Sequence, residues 1–121
     1  MTEANLPKVL VVEDEALLLF SIADELRDQG FEVHEAADAD RAIAILEQEP
    51  GIGVVFTDID MPGSMDGLKL SAYVRHRYPP IKIVITSGKN LAAAAELQAG
   101  LFLPKPYTVV GVIAALRAVT A

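Results

Sequence analysis

The feature that most constrains this chain is its punctuation: short, nearly unbroken apolar runs alternate with stretches of helical spacing, five times over. Lys8-Val9-Leu10-Val11-Val12, Gly53-Val54-Val55-Phe56-Thr57 and Ile81-Lys82-Ile83-Val84-Ile85-Thr86 have the β-branched continuity of strands buried on both faces. Phe31 to Glu35 alternates apolar and polar residues, as an edge strand does, and Leu101-Phe102-Leu103 is a very short last strand. Between them, Ala16 to Gln29 carries Leu18, Ile22 and Leu26 four apart and ends at Gly30, a C′ glycine. Asp38 is placed to cap a helix through Ala42, Ile43 and Leu46, closed by Pro50-Gly51. Further helices are expected from about Leu68 to Arg77, from Leu91 to Ala99, and from Tyr107 to Thr120.

Such alternation implies a parallel sheet covered by helices on both faces. Placing the three most apolar strands at the centre, with right-handed crossovers, gives the order 2-1-3-4-5. The expected fold is therefore α/β, a flavodoxin-like doubly wound five-stranded sheet. Its 121 residues suit one domain, with a core spanning about 7–120.

Composition narrows the function. Acidic residues outnumber basic ones, 17 to 10, for a net charge of −7, which argues against a nucleic-acid partner. Cysteine is absent, excluding disulfides and thiolate chemistry. No apolar stretch approaches the roughly 20 residues of a membrane span, and the N-terminus lacks the basic start of a signal peptide. A cytoplasmic protein without membrane attachment is the expectation, and a chain opening on Met1 is expected to act alone.

In open parallel sheets ligands bind beyond the carboxyl ends of the strands, where strand order reverses. There the first strand is followed by Glu13-Asp14, the third by Asp58, the fourth by Thr86 and the fifth by Lys105. Three carboxylates crowded together raise one another's pKa unless a cation relieves them. A hard divalent ion such as Mg²⁺ takes oxygen ligands and accepts phosphate oxygens as well. A carboxylate between Mg²⁺ and a lysine is suited to attack phosphorus and form an acyl phosphate, with Thr86 donating to the bound phosphoryl group.

Taken singly, these residues have ordinary explanations. Asp14 could cap a helix, Asp58 could be a turn residue, Lys105 a solvated loop lysine, and Thr86 could satisfy backbone at a strand end. Their joint arrival at one sheet edge is what favours chemistry. His34 and His76 do not reach that edge in this topology.

Over nearly its whole length the chain resembles the receiver domain of two-component response regulators. The matching pieces are Val11-Val12-Glu13-Asp14-Glu15, Thr57-Asp58-Ile59-Asp60-Met61-Pro62, Met65-Asp66-Gly67, Ile85-Thr86-Ser87-Gly88 and Leu103-Pro104-Lys105-Pro106-Tyr107. The resemblance implies that Asp58 is the phosphoacceptor and Asp14 a direct Mg²⁺ ligand, with Glu13 acting through water and the Asp60 backbone carbonyl completing the set. Thr86 and Lys105 match the family's hydroxyl and lysine, and Phe102 its switch aromatic. Two departures stand out: receivers commonly carry two aspartates where this chain has Glu13-Asp14, and Ser64 lengthens the loop after Asp58 by one residue.

The resemblance thus implies a stand-alone receiver, phosphorylated by a histidine kinase or phosphotransfer protein, signalling through protein contact or phosphorelay rather than turning over a metabolite. Apolar surplus at Leu17 and Phe20, and at Val110, Ala114 and Ala118, is left for partners, including a homodimer through the last helix face, although Phe20 could equally cover the rim of the sheet. Two other classes compete. Asp58-Ile59-Asp60 also resembles the nucleophile motif of haloacid-dehalogenase-type phosphatases, although that motif normally opens the chain. A flavodoxin-like mononucleotide binder would need a phosphate-cradling loop where Glu13-Asp14-Glu15 stands.

Overall fold

A computed structural model describes residues 6–59, 67–88 and 100–120. In chain order the elements are β1 (Lys8–Val12), α1 (Ala16–Asp28), β2 (Glu32–Ala36), α2 (Ala39–Gln48), β3 (Ile52–Asp58), α3 (Gly67–Arg77), β4 (Lys82–Ser87), β5 (Leu101–Pro104) and α4 (Val109–Thr120). The helix expected over 91–99 lies outside the described residues. All strand pairings are parallel, and the order is β2-β1-β3-β4-β5, as the apolar runs implied.

The continuity of the central strands has a direct cause. Side chains alternate across a sheet, so an unbroken apolar run feeds two cores at once. Leu10, Val12, Val55, Ile83 and Ile85 pack with α2 and α3 through Ala42, Leu46, Leu70 and Val74. Val9, Val11, Val54, Phe56 and Val84 pack on the other face with α1 and α4 through Ile22, Leu26, Val112 and Leu116.

Local signals set most boundaries. The Asp38 side chain accepts the Arg41 N–H at 2.8 Å, capping α2. At the end of α1, the Phe31 N–H reaches the Leu26 carbonyl and the Gly30 N–H reaches that of Arg27. This is a Schellman motif, with Gly30 at φ +98°. The last helix begins two residues later than the sequence suggested, because the Thr108 hydroxyl caps it by accepting the Gly111 N–H at 3.0 Å.

The buried stripe of α1 also differs from the expected one. Residues four apart drift about 40° per step around a helix of 3.6 residues per turn. The stripe consists instead of Leu19, Ile22, Ala23 and Leu26, with Leu18 at its margin. Leu17 and Phe20 are left 81% and 63% exposed, and Val110 of α4 76% exposed, as their positions off the stripes predicted. No helix among the described residues is long and apolar enough to cross a membrane.

Candidate functional site

The order reverses between β1 and β3, and the carboxyl ends of those strands carry the acidic residues. Glu13 follows β1 directly, its N–H held by the Ala36 carbonyl at 3.0 Å. Asp58 is the last residue of β3 and pairs in register with Thr86 of β4. Lys105 follows β5 and is tied to β4 by its N–H to the Ser87 carbonyl at 3.0 Å. Backbone pairing thus fixes where each of these side chains starts.

The side chains converge. One carboxylate oxygen from each of Glu13, Asp14 and Asp58 lies within 4.8 Å of the others. The Lys105 ammonium donates to Asp58 Oδ2 at 2.7 Å and stands 3.9 Å from Glu13 Oε1. Glu13 and Asp58 are buried, whereas Asp14 is exposed at the mouth of the site.

The ordinary explanations offered for Asp14, Asp58 and Thr86 do not match their surroundings. The N-cap of α1 is Glu15, not Asp14, and it makes no side-chain cap. Instead the Glu15 N–H is accepted by Glu13 Oε2 at 3.0 Å, so Glu13 is anchored to the helix start. Asp58 lies in a buried strand end rather than a turn. The Thr86 hydroxyl does not satisfy backbone: it is buried and has no hydrogen-bond partner among the described residues. A buried hydroxyl with no partner is unfavourable by about 1–3 kcal/mol and is suited to a group that arrives later.

The electrostatics point the same way. Burial pushes the Glu13 carboxyl up to about 7, and the Asp58 charge and a hydrogen bond with Asp14 add to the rise. The Glu15 N–H and the Lys105 ammonium pull against it without cancelling it. Among the described residues, Lys105 alone does not compensate three carboxylates. A donor set made wholly of carboxylate oxygens, two of them buried, fits a hard divalent cation.

Of the remaining expected residues, Asp60 lies outside the described residues, so its carbonyl is not located relative to the others. Phe102 is half-buried on β5, beside Ile85 in register, and packs against the core on the α2–α3 side of the sheet. His34 and His76 are away from the site, as the topology implied.

Two residues gain roles that the sequence reading did not give them. Gly67 opens α3 against the backbone of β3: a Cβ there would collide with the Asp58 carbonyl oxygen and sit 2.6 Å from Ile59 Cα. Tyr107 packs its ring edge-on to Phe56, with centroids 5.5 Å apart. Burial raises its phenol pKa, and the charges of Glu13, Asp58 and Glu15 raise it further. Both residues lie in the quoted motifs, but only the fold shows what they touch.

The comparisons with known proteins agree with this geometry. The family model for the response regulator receiver domain matches residues 9–117. A segment of the sensor kinase CckA of Brucella abortus is 37% identical over 108 residues, covering 83% of this chain and 11% of that protein. A putative NtrX-like response regulator of Rickettsia felis is 34% identical, covering 82% of this chain and 22% of that protein. The chain thus spans less than a quarter of either relative.

Among solved structures, a response regulator receiver protein of Sinorhizobium medicae superimposes with a TM-score of 0.86 at 30% identity, covering 96% of this chain and 95% of that one. A receiver domain protein of Clostridium thermocellum gives the same TM-score at 27% identity, covering 95% and 94%. With the strand order, the acidic cluster and the lysine in place, the match across residues 9–117 leaves one assignment: the chain belongs to the response regulator receiver domain family.

Proposed function

We propose that this protein accepts a phosphoryl group on Asp58 from the phosphohistidine of a histidine kinase or phosphotransfer protein. The observation that carries the reading is the pairing of a buried Asp58, held by Lys105 at 2.7 Å, with a buried Thr86 hydroxyl on the adjoining strand that has no partner among the described residues.

In the transfer, an Asp58 carboxylate oxygen attacks phosphorus in line with the P–N bond. The P–O bond forms as the P–N bond breaks, and the departing imidazole nitrogen keeps the electron pair and takes a proton from solvent. Lys105 holds Asp58 in place and balances the negative charge spreading over the phosphoryl oxygens. Glu13, Asp14, Asp58 and the Asp60 backbone carbonyl would hold Mg²⁺, Glu13 through water. Bound there, Mg²⁺ supplies charge neutralisation and a template for the phosphoryl oxygens. Docking of the donor protein provides much of the positioning.

Once Asp58 is phosphorylated, Thr86 donates its hydroxyl hydrogen to a phosphoryl oxygen, and the space it leaves admits the Phe102 ring. The phosphate biases an existing equilibrium rather than creating a new state, and the altered surface changes its affinity for a partner. Residues 1–121 act as one receiver domain in the cytoplasm, without nucleic acid or membrane, and output runs through protein contact or phosphorelay. The exposed side of α4 around Val110 supports a homodimer. The protein is a phosphoacceptor and not a multiple-turnover metabolic enzyme.

Incubation with Mg²⁺ and a small acyl phosphate tests this reading by intact-mass spectrometry. One phosphoryl group is expected on the native protein and none on Asp58→Asn. Full labelling of that variant would refute the assignment.

A further inference from the structure

At the opposite end of the sheet from Asp58, a second group of metal-ligating side chains stands outside the phosphorylation site. Glu32 and His34 are two apart on edge strand β2, so they share a face of the sheet. Glu49 is the C-cap of α2, which packs on that face. His34 Nε2 lies 3.2 Å from Glu32 Oε2 and 3.7 Å from Glu49 Oε1, and the three donor atoms all lie within 4.8 Å of one another.

We propose that Glu32, His34 and Glu49 bind a divalent transition-metal ion of the Zn²⁺ type, separate from the Mg²⁺ site of the proposed phosphotransfer. Zinc bonds nitrogen and oxygen at about 2.0–2.2 Å, which sets tetrahedral ligands about 3.3 Å apart. The two distances from His34 Nε2 bracket that spacing. Neutral imidazole selects zinc and its neighbours over magnesium or calcium. Three protein ligands leave a fourth position for water, reachable because β2 is an edge strand and the His34 side chain is 24% exposed.

A second, independent feature favours a cation here. The C-terminus of a helix carries partial negative charge and is stabilised by nearby cations. The last turn of α2 has no basic residue, and a glutamate caps it. Lys8 from β1 relieves this only in part: its ammonium is 3.6 Å from Glu32 and 3.9 Å from Glu49. Its hydrogen bond goes instead to the Pro50 carbonyl at 3.0 Å. A metal ion can therefore take the carboxylate oxygens while Lys8 keeps its backbone partner. Ligation would join β2 to the turn between α2 and β3.

The test is titration of the full chain with Zn²⁺ in saturating Mg²⁺, by competition with a chromogenic chelator. The variants are His34→Gln, Glu49→Gln and Asp58→Asn. At least a tenfold loss of affinity is expected in each of the first two, with no change in Asp58→Asn. In the wild type, Zn²⁺ should shift the imidazole resonances of His34 and spare those of His76. It should also raise the melting temperature by several degrees. Absence of Zn²⁺ binding, unchanged affinity in Glu49→Gln, or binding lost only with Asp58→Asn would overturn the proposal. The wild-type resonances decide the matter even if a variant fails to fold, and none of these readouts depends on phosphorylation.

Discussion

The Lys105 ammonium crosses from the end of edge strand β5, past β4, to sit 2.7 Å from Oδ2 of Asp58 at the end of β3. The two residues are 47 apart in sequence. The Lys105 side chain is 27% exposed and that of Asp58 only 3%, so the lysine reaches inward from the rim to a buried carboxylate. A contact of this length between charged groups is a charge-assisted hydrogen bond, stronger than a neutral one. It ties the buried Asp58 side chain to the end of β5.

Removing that contact should therefore slow chemistry more than it loosens the fold. Lys105→Ala is expected to reduce the rate of Asp58 phosphorylation by a small acyl phosphate about a hundredfold, the scale of losing one transition-state donor. Mg²⁺ binding, followed by titration, should persist. A rate equal to that of the native protein would show that the lysine plays no part in transfer.

Thr86 offers a contrast between stability and signalling. Its buried hydroxyl has no partner among the described residues, so Thr86→Val should leave the unphosphorylated protein as stable or more stable, by about 1 kcal/mol in urea unfolding. Phosphorylation of Asp58 should then no longer alter the surroundings of Phe102, as read from its aromatic NMR resonances. A loss of stability in this variant would mean that the hydroxyl is paired in solution.

Gly67 is required by close approach. Gly67→Ala must push the start of α3 away from Asp58 and Ile59, because the added Cβ meets backbone rather than a yielding side chain. Overpacking of this kind costs about 1–3 kcal/mol. Urea denaturation should register that loss, and phosphorylation of Asp58 should slow as its strand end shifts. An alanine variant of native stability would contradict the packing.

Tyr107 makes stability depend on alkaline pH. Its phenol pKa is raised in the folded state above the ordinary value of 10.0, with burial the largest cause. The folded chain therefore holds this proton at a pH where the unfolded chain releases it. Stability from this group is present below pH 10 and is lost as pH rises beyond it. Melting temperatures compared between about pH 9 and pH 11 should fall more steeply in the native protein than in Tyr107→Phe. Parallel curves would show that Tyr107 ionises freely.

Much of the fold is legible in the chain itself. The apolar runs mark strand positions because a strand buried on both faces cannot tolerate polar residues, and Asp38 and Gly30 announce helix ends through chemistry local to their own turns. Less can be read where the signal depends on what lies opposite. The four-residue spacing of Leu18, Ile22 and Leu26 points to the right helix, but the sheet beneath it selects Leu19 and Ala23. Nothing adjacent in sequence to Gly67 reveals that a β3 carbonyl lies where its side chain would be.

Sequence by itself determined the order of elements, the acidic and basic residues at each strand end, and so which groups could meet at one edge of a parallel sheet. Those properties derive from local periodicity and from the rule that such sheets expose their carboxyl ends to ligands. Tertiary structure decided which partners those groups have: Lys105 on Asp58, Glu13 on the Glu15 N–H, and the Thr86 hydroxyl on none of the described residues. Hydrogen bonds are satisfied over a few ångströms in space and are indifferent to separation along the chain. Only the folded arrangement could show which of these groups is paired and which has no partner among the described residues.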